Sequence, residues 1–147
     1  MNGLSFALAM CVLAAPLFAQ ERKIAMKDLP LAVQKAAAAE SARAEIRGFS
    51  EEQENGKTYY ELQLILKGHT KDVLMDADGN IVEIEEEVAF DSLSAEVQAG
   101  LRAKAGAAKI LKVESLTRSG KLVAYEAQIE SNGKKREIQF HPPAKTS

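Results

Sequence analysis

Side chains able to do chemistry are few in this 147-residue chain, and they are scattered. There is one cysteine, Cys11, and there are two histidines, His69 and His141. His69 follows the Lys67-Gly68 turn, and His141 precedes Pro142 and Pro143. Neither has a Cys or acidic residue at metal-ligand spacing, so both read as solvent-exposed turn residues. From Gln20 onward there are eight serines, none flanked by glycines as in a nucleophile elbow. Nucleophilic catalysis therefore has poor raw material, and the chain is expected to be no enzyme and to need no cofactor.

The sharpest metal candidate is Asp76-Ala77-Asp78-Gly79-Asn80. Asp76, Asp78 and Asn80 alternate as oxygen donors, as at the start of a calcium loop, and Glu87 falls twelfth. The glycine is fourth rather than sixth, however, and Ile81–Glu87 reads as a strand. Asp-Gly is also the plain solution for a tight hairpin. The turn reading is preferred, and no metal site is assigned. Glu83, Glu85 and Glu87 alternate along the following segment and read as a wet strand face, with Val82 and Ile84 turned inward. The 19 basic and 21 acidic residues leave a formal charge of −2, and the one basic run, Lys134-Lys135-Arg136, is short. Nucleic-acid binding, which needs a concentrated basic face, is not expected.

What remains is surface. Thr58–Leu66 alternates, with Tyr60, Leu62, Leu64 and Leu66 facing one way and Tyr59, Glu61, Gln63 and Ile65 the other. Tyr59, Ile65 and Leu74 interrupt the otherwise polar positions Glu61, Gln63 and Asp72. Aromatic and apolar side chains set among polar ones are typical interface anchors. Tyr59, Glu61, Gln63, Ile65 and Leu74 are therefore the candidate partner-binding residues.

The elements that position them follow from the whole sequence. Residues 1–19 carry no charge, and the apolar run Leu4–Ala15 is shorter than the ~20 residues of a bilayer span. With Pro16 and small residues up to Ala19, it reads as a signal peptide cleaved near Ala19. Cys11 lies inside that run, so the mature chain has no thiol, no disulfide and no transmembrane anchor, and a periplasmic or secreted location is expected.

The remainder repeats itself. Leu29-x-x-x-Val33-Gln34 recurs as Leu93-x-x-x-Val97-Gln98, and Gly56-Lys57 as Gly120-Lys121, at an offset of 64. Tyr60-Glu61-x-Gln63-Leu64 recurs as Tyr125-Glu126-x-Gln128-Ile129 at an offset of 65. Each unit opens on a helical pattern, capped by Asp28 with Pro30 in the first turn, or by Ser92, with Gly106 as a stop. Strands follow, joined at Asn55-Gly56, Ser119-Gly120 and Asn132-Gly133. The expected fold is α+β: two tandem helix-plus-antiparallel-sheet repeats, α-β-β-β-β over 26–88 and α-β-β-β over 89–142, with helices packed on one sheet face. Residues 143–147 form a tail, and the halves are expected to share a core or a continuous sheet.

This pattern resembles the PepSY-like, β-lactamase-inhibitor-like family of small exported bacterial proteins. The resemblance is carried by Leu29 to Gln34, by Gly56 to Glu61 and by Asp76 to Asn80, and covers about residues 26–141. The second unit has Ser94 in place of the proline and lacks the Asp-Gly turn. The resemblance implies an extracytoplasmic protein that binds or inhibits another exported or envelope protein. A small-ligand or Ca²⁺-sensing domain is the alternative.

Overall fold

The structure is a computed structural model and describes residues 21–144. The leader, Cys11, the cut near Ala19 and the last three residues lie outside that range. The described chain runs β1 (Arg22–Lys23), α1 (Leu31–Glu40), β2 (Glu45–Glu54), β3 (Lys57–Leu66), β4 (His69–Asp76), β5 (Ile81–Glu87), α2 (Ala95–Ala105), β6 (Lys109–Arg118), β7 (Lys121–Ser131) and β8 (Lys134–Phe140).

The strands form one sheet of eight, in sequence order, with every neighbouring pair antiparallel. This overturns the expected architecture of two helix-plus-sheet repeats with helices on one sheet face. The correction rests on β5 and β6, which pair from Glu83↔Arg118 to Glu87↔Glu114, straight across the boundary placed at 88/89. An isolated four-stranded unit would leave β5 as an unpaired edge, and pairing it with β6 removes that edge.

The core is nevertheless divided. Val33 and Ala37 of α1 are buried with Leu62, Leu64, Val73 and Met75, whereas Val97, Leu101 and Ala105 of α2 are buried with Val113, Ala127 and Ile129. The seam is polar. Glu86 and Ser115 face each other across β5 and β6, with the Ser115 hydroxyl 3.4 Å from the Glu86 carbonyl oxygen. Beside them Lys71 Nζ lies 3.6 Å from Glu40. Apolar side chains do not extend across such a row, so the sheet is shared and the core is not.

Local signals explain the helix starts, two residues later than expected. A single 3₁₀ turn, Met26–Asp28 or Phe90–Ser92, precedes each helix. Pro30 then holds the N-cap position of α1, and the Ser94 hydroxyl accepts from the Val97 N–H at 3.3 Å at the start of α2. In both places the glutamine of the Val-Gln pair reaches back, Gln34 to the Leu29 carbonyl and Gln98 to the Leu93 carbonyl, each at 2.9 Å. The recurring motif is thus a local brace between a helix and the chain that enters it. Gly106 ends α2 with φ of 59°.

Candidate functional site

The face of the sheet opposite the buried clusters holds the candidate site. Antiparallel register places Tyr59, Glu61, Gln63 and Ile65 of β3 opposite Asp76, Leu74, Asp72 and Thr70 of β4. The five predicted partner-binding residues therefore share one face. All five are half-buried rather than open. The same face also buries Ser50, Glu52, Leu116, Ala124 and Glu126, so it is less wet than simple alternation suggests. Register breaks at Ile46/Gly48, Leu74/Met75, Ile110/Lys112 and Leu116/Thr117 add local twist to the sheet.

At the Leu74/Met75 break, β5 gains a residue. Ile81 and Ile84 pack against the first core cluster, whereas Val82 lines a depression with Tyr59 on the other side. The expected inward placement of Val82 is thus reversed by a bulge, which carries no mark in the sequence.

The candidate face carries an acidic trough. Glu21, Glu52, Glu61, Asp72, Glu83 and Glu85 line a depression of about 180 Å³, with Leu74 as its apolar wall. Two of the predicted residues, Glu61 and Leu74, belong to it; Tyr59 lines the neighbouring depression with Asp76 and Asp78. At one end, carboxylate oxygens of Asp72, Glu85 and Glu114 lie within 4.8 Å of one another. Lys112 Nζ is 2.5 Å from Glu114, and Arg118 Nε is 2.6 Å from Glu83. Glu61 accepts from the Gln63 amide at 2.7 Å.

Glu52 and Glu85 are treated differently from their neighbours. Glu52 is 9% exposed, and its carboxyl group hydrogen-bonds with that of Glu61. Burial, with the Glu61 carboxylate alongside, pushes Glu52 up to about 7. Burial and the surrounding Glu126, Glu114, Glu83 and Asp72 carboxylates push Glu85 up to about 8. Asp72 rises to about 6 for the same reasons, although Lys112 opposes the shift. Glu87, two residues along the same strand, accepts from the Thr70 N–H at 3.0 Å and the Thr70 hydroxyl at 3.3 Å, and is held below its usual range by that backbone bond. Burial is the main cause of the upward shifts, with neighbouring carboxylates adding to it, whereas at Glu87 the Thr70 backbone bond outweighs burial.

The Asp76–Asn80 turn has its oxygens committed. Asp76 Oδ1 accepts from the N–H groups of Asp78 at 3.0 Å and Asn80 at 2.9 Å, and Oδ2 from the Asn80 side-chain amide at 3.0 Å. The bonds from Asn80 hold Asp76 below the usual carboxylate range. His69 and His141 are both exposed, at the start of β4 and just beyond β8, and the His141 ring lies 3.1 Å from the Val123 carbonyl.

Sequence reasoning named Glu61, Leu74 and, as a polar neighbour, Asp72. It passed over Glu52, and it assigned Glu83 and Glu85 to solvent. The signal was present only in part: the Glu83/Glu85 alternation placed both on the face shared with Asp72, but their convergence depends on β4–β5 pairing.

No protein-family model matches the sequence, and no curated protein matches it. The fold is that of a known class of solved bacterial structures. A DUF2874 family protein from Bacteroides ovatus superposes with a TM-score of 0.60 at 18% identity, over 77% of this chain and 80% of that chain. A protein from Bacteroides eggerthii, provisionally described as periplasmic, gives 0.62 at 19% identity over 77% and 81%. A BLIP-like protein from Bacteroides fragilis gives 0.51 at 19% identity over 79% and 89%. At these identities the likeness is one of fold. No helix among the described residues is long and apolar enough to cross a membrane.

Proposed function

We propose that this chain is an exported, non-enzymatic binding module that docks another extracytoplasmic protein through the outer face of β3, β4 and β5. The observation that carries this reading is one sheet face, free of the two core clusters, on which Tyr59, Ile65 and Leu74 stand beside a converging set of carboxylates. Apolar anchors within a charged surround are the usual make-up of a docking surface. The uncharged leader supports export with cleavage near Ala19, and the fold shared with a provisionally periplasmic protein supports the same compartment. Likeness to a BLIP-like protein supports inhibition or modulation as the outcome of docking, and with it the PepSY-like resemblance. Calcium sensing at Asp76–Asn80 is the weaker alternative, because the Asp76 carboxylate already closes its own turn.

The test uses residues 20–147 as bait in an extracytoplasmic extract. Tyr59→Ser with Ile65→Ser is expected to abolish retention of a partner while leaving the melting temperature within a few degrees. Retention at the original level would remove this face from the account.

A further inference from the structure

We propose that the open edge of β8 receives a ninth strand, an extended segment of another polypeptide that sets apolar side chains against Ile138 and Phe140 and carboxylates against Lys135 and Arg136. The inference is independent of the outer-face docking reading, because it concerns a different boundary of the sheet.

The internal repeat carries it. β8 is the counterpart of β4 at an offset of 65, and the register agrees: Leu62↔Val73 and Tyr60↔Met75 match Ala127↔Ile138 and Tyr125↔Phe140. β4 lies between β3 and β5, whereas β8 pairs with β7 alone and ends the sheet. The consequence is visible in the core. Val73 and Met75 are fully buried, and Ile84 and Ile81, opposite them on β5, pack against the same cluster. Ile138 and Phe140 hold the equivalent places in the second cluster, yet both stay half-buried. Phe140 sits against Gly100 of α2, where a Cβ would run into its ring. Among the described residues, His141–Ala144 adds no strand, and Pro142 and Pro143 have no N–H to donate to one. The second unit thus lacks the strand that seals the first. An added strand would bury both side chains and pair the free backbone groups of β8.

Charge chooses the occupant. Lys134, Lys135 and Arg136 are exposed and have no ion pair among the described residues. On β4 the position equivalent to Arg136 is Lys71, and β5 sets Glu86 opposite it. A second copy of the chain fits poorly. Two-fold pairing of β8 with itself, centred on Glu137 or on Arg136, sets that residue against its own copy, and centred on Ile138 it leaves Lys134 and Lys135 beyond the paired strands. Head-to-tail pairing would use β1, whose Arg22↔Glu51 matches Glu86↔Ser115 at an offset of 64. It would set Arg22 against Arg136 and Glu21 against Glu137. Like charges directly opposite destabilise a ladder. An antiparallel segment reading apolar, polar, apolar, basic and then acidic from its N-terminus meets Phe140 back to Lys134 without such a conflict.

The probe is the capped heptapeptide Ile-Thr-Ile-Lys-Glu-Glu-Glu, titrated into residues 20–147 at low ionic strength and followed by calorimetry and amide hydrogen exchange. Binding is expected, with exchange at β8 slowed at least tenfold at saturation. A scrambled peptide of the same composition should bind at least tenfold more weakly. Lys135→Glu with Arg136→Glu should weaken binding of the probe at least tenfold, and Ile-Thr-Ile-Lys-Lys-Lys-Glu should bind that variant in its place. Both positions are exposed, so the melting temperature should stay within a few degrees. Absence of binding, equal binding of the scrambled peptide, or unchanged exchange at β8 overturns the proposal. A dimer seen by sedimentation and abolished by Ile138→Lys overturns it in favour of a second copy at this edge. Tyr59→Ser with Ile65→Ser should leave peptide affinity within twofold, and a tenfold loss would place the peptide on the outer face instead.

Discussion

Glu85 carries the most consequence of any single residue. Asp72 faces it from β4, Glu83 lies along its own strand, and Glu114 and Glu126 approach from β6 and β7. Its folded value of about 8 lies above the ordinary carboxyl value of 4.5, so over the interval between them the native state holds a proton that the unfolded chain has lost. Stability from this group is complete below the unfolded value and is lost as pH rises through the folded one. Glu52, at about 7, acts in the same direction. The melting temperature is therefore expected to fall between about pH 5 and pH 9, by an amount on the order of 5 °C. Glu85→Gln should flatten that slope and raise the alkaline melting temperature. A wild-type profile rising over this range would contradict the assignment. None of this is legible in the sequence, where Glu85 is one member of an alternating acidic run. Its burial among Glu126, Glu114 and Asp72, set against the Thr70 donors at Glu87, emerges only once the strands are paired.

At the scale of elements, much was legible because local chemistry decides it. Asn55, Ser119 and Asn132 take positive φ ahead of Gly56, Gly120 and Gly133, as the turn dipeptides imply. Tyr60, Leu62 and Leu64 are buried, as the alternation in β3 implies. The bulge at Leu74/Met75 was not legible, since an extra residue in one strand is defined only against its partner, and it sent Val82 to the opposite side from the one expected. The Asp76–Asn80 turn belongs to both categories. Its Asp-Gly signal was plain, but its docking against α1 was not. Gly79 has φ of 78°, and a Cβ there would lie 2.6 Å from the Ala32 carbonyl oxygen. Backbone cannot yield as a side-chain tip can. Gly79→Ala should therefore destabilise the fold by at least about 2 kcal/mol, the left-handed conformation alone accounting for roughly half. Chemical denaturation measures it, and a loss below about 0.5 kcal/mol would show that α1 and the turn are not in contact.

At the scale of the whole molecule, the sequence repeat pointed to two units, and pairing joined them. Matching motifs such as Leu29 to Gln34 and Leu93 to Gln98 do perform the same local task. They cannot reveal whether β5 will find β6, because that contact lies between units rather than within either. The continuous sheet extends the outer face beyond what one unit offers: the carboxylates around Glu85 come from β4, β5, β6 and β7. The residues that line the trough all come from the first unit, Glu21 to Glu85, and the join adds the Glu114 and Glu126 carboxylates beside Glu85.

Site-specific photocrosslinking in the organism that makes the protein tests the docking claim most directly. A photoreactive phenylalanine at position 59 should join the chain to another exported protein. The same group at Leu31, which is 65% exposed at the start of α1, should not. Crosslinks from position 31 with none from position 59 would contradict the account.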